Sequence, residues 1–114
     1  MFAIYQPKQF THRPLDYMTS TDPRVVVDRD VKFFHGSAMF TPEMFEHYQN
    51  VAMIDAPNLE AVFHVGNVGP EERITRLAPM HSISVGDIVL GSDGYFMCDP
   101  MGWTQLEINT AEAA

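Results

Sequence analysis

Apolar positions along the 114-residue chain fall into short blocks divided by turn-forming residues, and the spacing within each block predicts its conformation. Met1 to Tyr5 is an apolar run bounded by Pro7, the pattern of a strand. Residues 7–23 hold Pro7, Pro14 and Pro23 with little periodicity and predict loop. Arg24 to Val27 and Val31 to Phe34 are brief β-favouring runs split by Asp28-Arg29-Asp30. Thr41-Pro42-Glu43 has the order of a helix start: a capping hydroxyl, proline at the first helical position and an acid in the first turn. That short helix runs to Tyr48 and buries Met44, Phe45 and Tyr48. Asn50 to Ile54 predicts a central strand. Asp55 and Pro57 open a second helix, with Leu59, Val62 and Phe63 at i, i+3 and i+4 as its buried stripe. Gly66-Asn67 ends it, and residues 67–80 read as a charged connector.

The region from His81 to Leu106 is punctuated by three turns, each with its own chemistry. In Ser84-Val85-Gly86-Asp87, Gly86 supplies the positive φ that a type II turn needs at its third position. Ile88 to Leu90 then favours a strand. Gly91-Ser92-Asp93-Gly94 carries an Asp-Gly pair and signals a hairpin, with Tyr95 to Cys98 as the returning strand. Asp99-Pro100-Met101-Gly102 matches a type I turn, with Asp at i, Pro at i+1 and Gly at i+3. Trp103 to Ile108 forms a third short strand. These elements sum to an α+β fold: a small, mostly antiparallel sheet with one or two short helices packed on one face. Residues 1–108 form a single globular domain and 109–114 a frayed tail.

Composition narrows the setting. An apolar fraction of 46% against 19% charged residues suits a globular chain and argues against disorder. Cys98 is the only cysteine, so no internal disulfide forms, which fits a reducing compartment. The first residues lack the basic-then-apolar plan of a secretory signal, and no apolar run reaches the ~18 residues needed to span a bilayer. The expected location is the cytoplasm, without membrane contact.

Charge is uneven. Residues 1–50 hold five basic side chains against six acidic ones, whereas residues 51–114 hold only Arg73 and Arg76 against nine acids. Beyond Arg76 there is no Lys or Arg. Solvation alone accounts for a face of this kind, since such charge is ordinary for a small domain; the sharper reading is an acidic surface aimed at a basic partner. Direct nucleic-acid binding is disfavoured, because that affinity comes mainly from neutralising phosphates with Lys and Arg.

The ordered set Leu59, Glu60, Val62, Phe63 and Asn67, then Ser82, Ser84, Val85, Gly86, Asp87, Val89, Tyr95 or Phe96, Cys98, Gly102, Trp103 and Leu106 resembles a family of small proteins encoded by bacteriophages, plasmids and other mobile elements. The resemblance covers roughly residues 48–108, carried by the helix end, connector and hairpin unit at 61–108. A tryptophan common in that family's connector is missing here. The family has no established reaction, so the resemblance implies an origin and a fold, and an accessory protein acting in the host bacterial cytoplasm on host machinery.

No motif for catalysis stands out. Asp87 beside Gly86 is expected to bond the backbone of its own turn. Ser82 and Ser84 have no His-Asp arrangement to activate them. Asp99 next to Cys98 raises the thiol pKa and works against a reactive thiolate. His12, His35, His47, His64 and His81 lack metal-ligand spacing. No cofactor and no metal site are expected. The leading reading is a non-enzymatic binding protein that docks on a host protein with a basic surface, a nucleic-acid-associated or defence factor, and modulates or inhibits it. Its contact residues are Asp87, Asp93, Asp99, Met101 and Trp103, the acids steering association and the last two anchoring it. One alternative is a homodimeric assembly module that pairs through a sheet edge. Another is a small metal-dependent enzyme built from His64, His81, Cys98 and Asp99.

Overall fold

The computed structural model describes residues 1–108; the tail expected at 109–114 lies outside them. In chain order the elements are β1 (Phe2–Pro7), α1 (Pro23–Val26), β2 (Tyr48–Ile54), α2 (Leu59–Val68), β3 (Ile74–Arg76), β4 (Ile88–Gly91), β5 (Gly94–Asp99) and β6 (Gly102–Leu106). A wide helical stretch, Val27–His35, continues α1 and is broken by a kink at Lys32 and Phe33, and single turns or short 3-10 helices lie at Gly36–Ala38, Pro42–His47 and Glu71–Arg73. All six strands form one antiparallel sheet in the order β3-β2-β1-β4-β5-β6. The N-terminal strand is therefore central, with Ile4 opposite Ala52 of β2 on one side and Val89 of β4 on the other. The fold is α+β, as the strand and helix patterns predict.

Side chains alternate across the strands and build two cores. One face carries Ile4, Ala52, Ile54 and Val89 and packs against Val62 and Val65 of α2 and against Ile83. The other carries Ile88, Tyr95 and Met97 and packs against Val27, Val31, Met44 and Tyr48. Each fully buried aliphatic side chain contributes about 1.5–3 kcal/mol, so both faces are firmly held. Helical segments thus cover both faces of the sheet.

That second cover comes from residues expected to be extended. Arg24 to Val31 are helical, and the chain then kinks: Lys32 is extended (ψ 125°) and Phe33 takes a positive φ of 76°. Asp22 caps α1 by accepting the Arg24 N–H at 2.9 Å, and Pro23 occupies its first turn. Val27 and Val31, one turn apart, are fully buried. β propensity lost here to a capped start and an i, i+4 apolar pair.

The second helix also begins and ends later than its sequence suggests. Asn58, not Asp55, is the cap, accepting the Ala61 N–H at 2.9 Å. Val62 and Val65 are the buried positions and Phe63 is exposed. The helix passes through Gly66, where a side chain would collide with Ile83, and continues to Val68. Asn67 grips the Ile83 backbone, accepting its N–H at 2.6 Å and donating to its carbonyl at 3.2 Å. Gly66-Asn67 is therefore a packing contact, not a stop. The three turns of the C-terminal unit form as expected. Asp87 N–H donates to Ser84 O at 3.0 Å with Gly86 at φ +94°, and strand pairs Gly91–Gly94 and Asp99–Gly102 close the two hairpins.

Candidate functional site

The face covered by α2 is not covered to its end. The helix lies over β2, β1 and β4 and leaves the β5–β6 side open. Here Gly91 and Gly94 form a cross-strand pair without side chains, and the ring of Phe2 lies over Gly91, within 2.6 Å of where a Cβ would sit. Beside Gly91 a groove of about 580 Å³ lies between the hairpin and the start of α2. Phe2, Phe96 and Trp103 provide its aromatic wall, and Asp93 and Glu60 stand at its rim. Both carboxylates belong to exposed residues, whereas the three aromatic residues are half-buried. Trp103 also packs on the first core, so its ring is held in place.

A groove of this make-up can receive a cation. Aromatic faces attract ammonium and guanidinium groups, and the two rim carboxylates add negative charge beside them, with no Lys or Arg among the lining residues. It brings together two of the five residues expected at the site, Asp93 and Trp103. Phe2, Phe96 and Glu60 were not anticipated. Their signal lay in strand alternation: Phe2 and Ile4 share a face, and Phe96 sits opposite Val89 on it.

The other three expected residues lie elsewhere. Asp87, read as an exposed acid, is completely enclosed. One carboxylate oxygen, Oδ2, accepts from the Ser84 N–H and from Gln6 Nε2, both at 3.0 Å. The bond to its own turn is thus present, and a second clamp to β1 adds to it. Gln6 in turn donates to His81 O at 2.9 Å and accepts the His81 N–H at 3.2 Å, fixing the 81–87 loop on the central strand. Among the described residues Oδ1 has no hydrogen-bond partner, nor do the buried Ser84 Oγ and His81 Nε2. Burial pushes the Asp87 carboxyl up to about 7, against the lowering effect of its two hydrogen bonds and the Lys32 charge. A group sealed this way cannot meet a partner and serves the architecture. The cover is supplied by the backbone of Val31 and Lys32, at the kink that ends the helical run, which presses on Gly86.

Asp99 is half-buried and accepts hydrogen bonds from the Ser37 N–H at 2.7 Å, from Ser37 Oγ and from Thr104 Oγ1. It ties the β5–β6 turn to the Gly36–Ala38 turn and is not a free steering charge. Met101, almost wholly exposed at the tip of that turn, does not line the groove. The four residues of the metal-enzyme alternative do not converge. His64 is exposed on α2, Cys98 is buried in β5, and among the described residues no three His, Cys, Asp or Glu side chains are placed to hold a metal ion. Burial, with the Asp87 and Asp99 charges behind it, pushes the Cys98 thiol up to about 11, far from a reactive thiolate. In the N-terminal half, cations are engaged within the chain: Arg24 lies 4.1 Å over the Phe10 ring, Arg13 lies 4.7 Å over Tyr17, and Arg29 pairs with Asp30 at 2.8 Å.

Among the described residues no helix is long and apolar enough to cross a membrane. Comparison of the chain with protein-family models, with curated proteins and with solved structures yields no match.

Proposed function

We propose that this is a non-enzymatic accessory protein of a mobile element that binds a basic segment of a host protein and thereby modulates it. The observation that carries the reading is the acid-rimmed aromatic groove of Asp93, Glu60, Phe2, Phe96 and Trp103. Long-range attraction brings the basic partner to the acidic half. An Arg or Lys side chain then lies along the aromatic wall while its head group meets a carboxylate. The contact surface thus shrinks from Asp87, Asp93, Asp99, Met101 and Trp103 to Asp93 and Trp103, joined by three new residues. The mobile-element origin rests on the residue pattern at 48–108.

Trp103 is the sole tryptophan, so its fluorescence reports directly on the groove. Titration with a blocked arginine-rich peptide should change that emission saturably. Raising salt to ~0.5 M should weaken binding by an order of magnitude, since screening then confines charge effects to a few ångströms. Glu60→Lys and Asp93→Lys together should weaken it by at least as much. Equal binding of a glutamate-rich peptide, or an affinity indifferent to salt, would remove the reading.

A further inference from the structure

β6 forms one outer edge of the sheet, and among the described residues no strand pairs with its free side. We infer that the basic partner binds as an extended segment that adds a seventh strand along β6, placing its cationic side chains in the groove beside Trp103. This rests on the groove reading above and specifies how the partner is held.

The two edges of the sheet are unlike. β3 is only three residues long and is flanked by charge: Arg76 forks onto Glu71, with Nη2 to Oε2 at 3.0 Å. Shortness and charge are the usual protections of an edge. β6, Gly102-Trp103-Thr104-Gln105-Leu106, holds no Lys, Arg or Pro. Its register with β5 runs unbroken through five pairs, from Tyr95–Leu106 to Asp99–Gly102, without a bulge. Its polar side chains are turned back onto the protein. Gln105 Nε2 donates to Asp93 O at 2.8 Å, and Thr104 Oγ1 donates to Asp99. What the edge offers is therefore backbone, in the straight form that an incoming strand pairs with.

The groove supplies the rest of the argument. Trp103 belongs both to the edge strand and to the groove wall. Because side chains alternate, every second residue of an added strand would project on the Trp103 and Gln105 face, toward Asp93 and Glu60. The exposed carboxylates near this edge, Asp93 and Glu107, belong to a stretch with no Lys or Arg after Arg76. A basic extended segment satisfies both the free backbone and the charge. A second copy of this acidic chain would satisfy only the first.

The test uses blocked hexapeptides of alternating Arg and Thr, unmodified or N-methylated at one or the other set of alternate amides. Binding is read by Trp103 fluorescence and by amide exchange at 102–106. The expected result is saturable binding of the parent and slowing of exchange in β6 by ten-fold or more. One methylation pattern should lose at least ten-fold in affinity while the other binds as the parent does. If both methylated peptides bind equally well and β6 exchange does not change, strand addition is overturned and the groove reading stands. Absence of binding by every peptide overturns both. Protection of β6 without peptide, with sedimentation as a dimer, assigns the edge to a second copy and also overturns the proposal.

Discussion

Asp87 and Asp93 stand just beyond opposite ends of the four-residue strand β4, each next to a glycine, and they have opposite fates. Asp87 is sealed from solvent and spends one oxygen on Ser84 and Gln6. Asp93 projects from a hairpin turn into water. The local chemistry of the two turns is similar; the difference lies in what covers them. The Val27–His35 stretch lies against Gly86, so closely that a Cβ there would meet the Lys32 Cα at 2.8 Å. Tyr48 closes the same turn by donating its hydroxyl to Gly86 O at 2.6 Å. Among the described residues nothing seals the Asp93 turn, which faces the start of α2 across an open groove. One carboxylate thus became an internal clamp, and the other stayed available to a partner.

The largest effect should come from the charge on the clamp. Its carboxyl is held up at about 7 by burial, above the ~3.9 of an unfolded aspartate. The folded state therefore binds a proton more readily than the unfolded state. The contribution of the protonated group is fully present below about pH 4 and is lost as pH rises through about 7, by up to about 4 kcal/mol. Asp87→Asn cannot titrate. The difference in urea-unfolding free energy between wild type and Asp87→Asn, followed from pH 4 to pH 8, should change steeply in favour of the variant and then level off. A difference that stays flat across that range would mean the carboxyl is not buried as described.

Next in size is the cover itself. Gly86→Ala places a methyl group against the Lys32 backbone and forces a non-glycine residue into φ +94°. Strain and overpacking together should cost about 3 kcal/mol. Denaturant unfolding measures this directly, and a loss under ~1 kcal/mol would show that the helical stretch is not pressed on the turn. The matching change at the other end, Gly91→Ala, meets only the ring of Phe2, which can swing into the groove.

The contrast also shows what sequence could and could not carry. Turns are local, so Gly86, Asp93-Gly94 and Asp99-Pro100 announced themselves, and the strands between them followed. The burial of Asp87 depended on Val27 and Val31 being helical, and their β-branched side chains argued for the opposite. The evidence against a strand was the Asp22-Pro23 start; the similar Thr41-Pro42 start marks a 3-10 helix, Pro42–His47, that buries Met44, leaves Phe45 half-buried and gives way to β2 at Tyr48. The groove was legible by half. Trp103 and Asp93 are conspicuous residue types, but Phe2 reaches them only because β1 pairs with β4, a contact between residues about 85 positions apart. Asp99 looked as free as Asp93, since nothing in sequence links it to Ser37.

The smallest structural effect, and the sharpest functional one, belongs to Asp93. Its role in the fold is carried by its backbone carbonyl, which accepts from Gln105 Nε2 at 2.8 Å. Its carboxylate makes no hydrogen bond or ion pair among the described residues, so Asp93→Asn removes charge without removing a contact. The Tm should move by less than about 2 °C. Stopped-flow mixing with the arginine-rich peptide should nonetheless show a several-fold slower association at low salt, with the difference vanishing near ~0.5 M. Asp87→Asn should do the reverse, altering stability with pH while leaving the association rate alone, because its charge is enclosed on the far side of β4 from the groove. Equal slowing by both variants would mean that net charge, not the groove, draws the partner in. A normal rate for Asp93→Asn would place the contact elsewhere on the molecule.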